Sequence, residues 1–193
     1  MPAYRLLVTG ASGAGTTTLG RVLAARWHVP HADLDDYFWV PTDPPFAEKR
    51  PEGERLRLMR EVFLPRASWV LSGSLMGWGD SLIPMFDGVV LLTIDPEVRM
   101  RRLTSREHVL QGEAVGPGGA NEEAYRAFLD WAQGYDDPEF SGRNRAKHEQ
   151  WLTAQPHPVL RLDSETPVEE LADRVVEWLA AVPARAGGDR LPG

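Results

Sequence analysis

Arg5-Leu6-Leu7-Val8-Thr9-Gly10-Ala11-Ser12-Gly13-Ala14-Gly15-Thr16-Thr17-Thr18-Leu19 is the stretch that decides how this chain is read. Arg5 to Thr9 is a short, mostly apolar run; glycines follow at 10, 13 and 15, and then Leu19, Val22, Leu23 and Trp27 recur at helical spacing. The order is strand, glycine-rich loop, helix. Gly10, Gly15 and Thr17 occupy the fixed positions of the phosphate-loop pattern G-x-x-x-x-G-K-[ST], in the structural context that the pattern requires. Glycines there let backbone N–H groups turn inward, and the helix start adds positive potential, so phosphate oxygens find several donors. Gly10, Ala11, Ser12, Gly13, Ala14, Gly15, Thr16, Thr17 and Thr18 are therefore the expected nucleotide-binding residues, with the Thr17 hydroxyl directed at Mg²⁺.

Position 16 is threonine where the pattern has lysine, so the ammonium that reaches the β- and γ-phosphates is missing. A unit charge about 4 Å away at an effective dielectric near 20 is worth about 4 kcal/mol. Left uncompensated, its loss costs on the order of a thousandfold in rate. Either another cation substitutes or transfer is slow. Arg102 and Arg106 are spaced to share one helix face, and Arg143 and Arg145 lie beyond the glycine-rich break Gly112 to Gly119. Their grouping on both sides of that break points to a phosphate-clamping lid.

Further along, Pro30 to Leu34 reads as a second strand ending in the acids Asp33, Asp35 and Asp36, with Tyr37, Phe38 and Trp39 after it. Pro51 suits the first turn of a helix that keeps its period through Leu56, Met59, Val62 and Phe63 and ends near Pro65. Trp69 to Leu71 begins a third strand that leads into Ser72-Gly73-Ser74. Gly88 to Ile94 is an uninterrupted apolar run of the kind buried on both faces of a parallel sheet. Asp95-Pro96-Glu97 combines an N-cap acid with proline at the first helical position. Helices are expected near Asn121 to Gln133 and Gly142 to Ala154, and a last strand at Val159 to Leu162. Thr166-Pro167-Val168-Glu169 reads as a capping box opening a final helix to about Ala181. Strands alternating with helices predict a three-layer α/β fold with a mainly parallel sheet. The tail 183–193, with Gly187-Gly188 and Pro192-Gly193, is expected to be flexible.

Composition narrows the function. The 193 residues include no cysteine, which excludes disulfides, thiolate zinc sites and cysteine nucleophiles, and the cytoplasm is the expected compartment. The N-terminal apolar run is too short for a signal segment or a membrane span. A formal net charge of −7 repels polynucleotides and anionic membranes, while leaving room for a local arginine cluster that holds a small anion. His28, His31, His108, His148 and His157 show no metal-ligand spacing.

Taken together, the phosphate loop, the acidic end of the second strand and the Arg102-x-x-x-Arg106 helix resemble the adenylate kinase and shikimate kinase group of small P-loop kinases. The resemblance implies a three-layer P-loop kinase fold over residues 1–182, with a five-stranded parallel sheet, the loop-bearing strand in its middle and a small helical lid at approximately 105–145. It also implies ATP with Mg²⁺ as donor and a small-molecule acceptor held after the second strand. Arg102 and Arg106 then correspond to the lid-base pair, acting as catalytic and nucleotide-binding residues together with Arg143 and Arg145. Asp33 corresponds to the metal-supporting acid and Asp35 to the group contacting the acceptor hydroxyl, with Asp36 as the other candidate for that role. Tyr37, Trp39, Gly73 and Trp78 are expected to line the acceptor pocket, although such aromatics are more often core. Ser72-Gly73-Ser74-Leu75-Met76 lacks the acid and arginine that adenylate kinases carry there, and keeps one of the glycines typical of shikimate kinases, so neither AMP nor shikimate is supported as acceptor. A monomer or homodimer is expected.

Overall fold

A computed structural model describes residues 4–43 and 45–182; the expected flexible tail at 183–193 lies outside the described residues. Five strands, β1 (Arg5–Gly10), β2 (His31–Asp33), β3 (Trp69–Ser72), β4 (Gly88–Thr93) and β5 (Val159–Asp163), form one sheet in the order β2-β3-β1-β4-β5. Every pairing is parallel, with Val8 opposite both Ser72 and Val90, and Asp33 also opposite Ser72. The chain moves outward from β1 to one edge and then crosses to the other. That reversal opens a crevice beyond the carboxyl end of β1, where ligands bind in open α/β sheets.

Alternation along the strands builds the layers. Leu6, Val8, Val90 and Leu92 face one side and pack with Leu19 and Leu23 of α1 (Thr16–Trp27). Leu7, Leu71, Val89 and Leu91 face the other, against Met59, Phe63 and Phe86. All of these side chains are buried. Each contributes about 1.5–3 kcal/mol on leaving water, so the sheet is gripped from both sides, with β1 at its centre.

The remaining helices are α2 (Asp35–Phe38), α3 (Glu52–Leu58), α4 (Pro96–Gln111), α5 (Glu122–Gln133), α6 (Arg145–Thr153) and α7 (Val168–Ala181). The helix expected from Pro51 to about Pro65 is α3 continued by a π-helical turn, Met59–Phe63, which sequence periodicity does not reveal. At α4 the expected cap is present, with the Asp95 carboxylate accepting from the N–H of Glu97 and Val98 at 2.9 and 3.1 Å. At α7 the capping box is not formed. Pro167 itself occupies the N-cap, and no side chain caps the helix. Pro51 likewise sits at the N-cap of α3 rather than in its first turn. The 112–119 break contains a 3-10 turn, Gly112–Val115. Among the described residues, no helix is long and apolar enough to cross a membrane.

Candidate functional site

The loop after β1 curls as its glycines permit. Gly13 and Gly15 both have φ of +87°, a left-handed conformation that glycine adopts without strain. Ala14 N–H bonds Ala11 O at 3.0 Å to close the turn. Among the described residues, the N–H groups of Gly13, Gly15, Thr16 and Thr17 donate to no protein acceptor. These are orphan donors of the loop and the helix start. A Cβ on Gly15 would meet nothing within 4 Å, so the mouth of the loop is open, whereas Gly13 is backed by Arg99 and Leu103.

Opposite the loop, the acids of β2 are arranged by the backbone. Thr17 Oγ1 donates to Asp33 Oδ2 at 2.6 Å, and Asp33 Oδ1 accepts from the N–H of Asp35 at 3.1 Å. Ser72 Oγ lies 3.4 Å from Asp33 Oδ2 and 2.9 Å from His31 Nε2, so the carboxylate is held from several directions. A hydroxyl and a carboxylate side by side are hard oxygen donors that suit Mg²⁺. No group of three or more His, Cys, Asp or Glu side chains able to cage a metal occurs among the described residues. That combination fits an ion which takes one or two protein oxygens and completes its shell with phosphates and water.

Asp35 is exposed by surface area, yet enough protein lies around it to weaken its hydration. Its pKa is pushed up to about 6, chiefly by desolvation and then by the neighbouring Asp33 charge, against the opposing fields of Arg143 and Arg106. A carboxylate with this pKa is matched to taking a proton near neutrality. Asp36 is exposed, and its backbone carbonyl accepts from Arg50.

The four predicted arginines separate. Arg143 Nη1 donates to Gly10 O at 3.1 Å, and its guanidinium lies 5.6 and 5.7 Å from the ring centres of Trp131 and Tyr135. Arg106 pairs with adjacent Glu107 at 2.6 Å while still acting on Asp35 through its charge. Arg102 Nη1 donates to Ser164 O at 3.0 Å, tying α4 to the loop after β5. Arg145 is engaged by Asp136 at 2.8 Å. On the acceptor side Tyr37 and Trp39 are half-buried, and Trp39 meets Phe46 edge-on. Gly73 packs against Leu34, and Trp78 is buried in the core with its indole N–H donating to Ser74 O at 3.0 Å.

Three residues of this region carry no sequence signal. Buried Arg99 reaches Ser12 O at 3.1 Å and Asp136 at 2.5 Å, supporting the loop from α4. His148, also buried, sits between Thr9 Oγ1 at 3.2 Å and Tyr135 Oη at 3.0 Å, and burial lowers its pKa to about 4. Arg55 lies 3.7 Å from the Phe38 ring centre and flanks Trp78.

The chain is 39% identical over 174 residues to the uncharacterized protein YqaC of Bacillus subtilis (strain 168), a match covering 90% of this chain and 96% of that protein. No family model matches. Among solved structures, it resembles a shikimate kinase from Bacteroides thetaiotaomicron, with a TM-score of 0.56, 22% identity and coverage of 92% of this chain and 98% of that one. A shikimate kinase from Acinetobacter baumannii in complex with shikimate gives a TM-score of 0.54 at 18% identity, covering 93% and 94%. A gluconokinase from Sinorhizobium meliloti 1021 gives 0.51 at 16% identity, covering 93% and 92%. The α/β sheet of five parallel strands is thus the shikimate-kinase-like P-loop fold.

Proposed function

We propose that this chain, which belongs to the family of Bacillus subtilis YqaC, is an ATP-dependent phosphotransferase acting on a small hydroxylated acceptor. The observation that carries this reading is the juxtaposition of unpaired loop N–H groups, the Thr17–Asp33 oxygen pair and Asp35 at one end of β1 and β2. The fold of kinases with small-molecule substrates supports it.

In this reading the N–H groups of Gly13, Gly15, Thr16 and Thr17 bind phosphate oxygens and orient the donor. Thr17 and Asp33 would hold Mg²⁺, which would supply neutralisation of the phosphate charge. Asp35 accepts the proton of the acceptor hydroxyl as the oxygen bonds to the γ-phosphorus and the bond to the departing diphosphate breaks. Arg106 adds positive potential to the same space. Tyr37 and Trp39 flank the acceptor, while Trp78 shapes the pocket from within the core.

The missing lysine favours one alternative, a module that binds nucleotide with little turnover. ADP release from MgATP, measured across a panel of hydroxylated metabolites, separates the two. The kinase reading expects one chemical class of acceptor to raise ADP release, with Thr17→Ala and Asp35→Asn abolishing the rise. If those variants leave turnover on that acceptor unchanged, the residue roles are wrong. MgATP binding without acceptor-dependent release would favour the binding module.

A further inference from the structure

We propose that Arg143, delivered from just before the cap of α6, supplies at the phosphate loop the cation that Thr16 does not, and thereby replaces the missing lysine from a distant point in the chain. This rests on the nucleotide-binding reading and specifies how that site is completed.

Position comes first. The Arg143 guanidinium bonds the carbonyl of Gly10, the first glycine of the loop. Thr16 approaches the same residue, its Cγ2 lying 3.3 Å from where a Gly10 Cβ would stand. Arg143 and the residue in the lysine position therefore converge on one corner of the loop, and the charge is present there without a lysine stem.

Electrostatics comes second. Burial lowers the pKa of Arg143, and no carboxylate lies within the 4.0 Å of an ion pair among the described residues. A guanidinium stays charged and carries five donors, of which the protein uses one in this way. A half-buried cation without a carboxylate at contact distance is costly. Arg99 and Arg145 differ, because both share an ion pair with Asp136. Among the described residues, Arg143 is thus a cation beside the loop that no carboxylate pairs at contact distance, with the charge of Asp35 acting on it from further away, and it is available to a ligand anion.

Rigidity comes third. Asn144 is fully buried; its side-chain NH₂ donates to Pro138 O and Phe140 O, and its side-chain oxygen caps α6 through Lys147 N. Lys147 Nζ binds the carbonyls of Phe140, Ser141 and Gly142 at 2.9, 2.8 and 3.1 Å. One turn further on, His148 fastens α6 to Thr9, the residue before Gly10. Arg143 is therefore held in register with the loop, which makes it a pre-organised charge rather than one that arrives with a swinging lid.

The test compares wild type, Arg143→Met, Arg143→Lys and Arg143→Met with Thr16→Lys. MgATP affinity is measured by calorimetry without acceptor, inorganic triphosphate serves as a base-free probe, and circular dichroism confirms folding. Arg143→Met is expected to weaken both ligands by about tenfold or more and to slow phosphoryl transfer roughly a hundredfold. Arg143→Lys should fall between it and wild type, and adding Thr16→Lys should recover most of the loss. Unchanged affinity in a folded Arg143→Met protein overturns the inference, as does failure of Thr16→Lys to restore binding in that background. If wild type binds neither probe, the nucleotide reading fails and takes this inference with it. A bound wild type with an indifferent Arg143→Met sinks the inference alone.

Discussion

Two regions lean on the phosphate loop, and each does so with an arginine. From α4, Arg99 bonds Ser12 O and is locked to Asp136; from the residue before the α6 cap, Arg143 bonds Gly10 O and, among the described residues, makes no ion pair, although the charge of Asp35 acts on it. The first charge is neutralised inside the protein and holds the loop's shape. The second is left for whatever the loop binds. The same type of side chain thus divides into support and function according to where the counter-charge sits.

The largest effect expected on the functional side is at Asp35, whose charge opposes Arg143 across the cleft. Asp35→Asn should reduce turnover by on the order of a thousandfold, because a general base contributes about 10²–10⁴. The same change should raise the melting temperature at pH 7.5. The folded-state pKa of Asp35 is raised to about 6 from 3.8, so folding favours the neutral form, and stability falls as pH rises between those values. Removing the charge removes that penalty. A variant that is both inactive and less stable at pH 7.5 would contradict the assignment.

On the supporting side, Arg99→Met should cost about 3 kcal/mol in denaturant unfolding, near the lower end for breaking a buried pair, because Arg145 still faces Asp136. Arg143→Met should cost far less stability while costing more activity. Similar losses for both arginines in both assays would erase the contrast.

A smaller effect is expected from acid. His148 has a folded-state pKa near 4 against 6.5 in an unfolded chain, so the unfolded state binds the extra proton first. The stability due to neutral His148 is present above about pH 6.5 and is lost as pH falls toward 4. His148→Gln should flatten that part of the stability profile, as read by thermal melts across the range.

These contrasts also show which parts of the molecule are legible in a sequence. The loop, the buried run of β4 and the Asp95 cap are local devices whose spacing states the geometry, and the structure has all three. The Thr17–Asp33 pair follows from the strand-two acids once a sheet is assumed. Arg99, Arg55 and His148 are different. His148 meets Thr9 across 139 residues of chain, and nothing near either residue announces it. Among the predicted arginines, the sequence offers no means of telling Arg143 from Arg145, because the decisive fact is which one Asp136 takes. The capping box at Thr166 shows the opposite failure, a matching local pattern displaced when Pro167 took the cap position. Trp78 was a pocket candidate by its neighbours, yet its indole is spent on Ser74 and core packing.

The central claim is that amide hydrogens at the turn from β1 into α1 hold an anion. Amide hydrogen exchange over residues 10–18, with and without MgATP, reads this directly. Marked protection of Gly13, Gly15, Thr16 and Thr17 on adding MgATP, lost in Thr17→Ala, is the result the account predicts. Exchange at these amides that is indifferent to MgATP at millimolar concentration would contradict it.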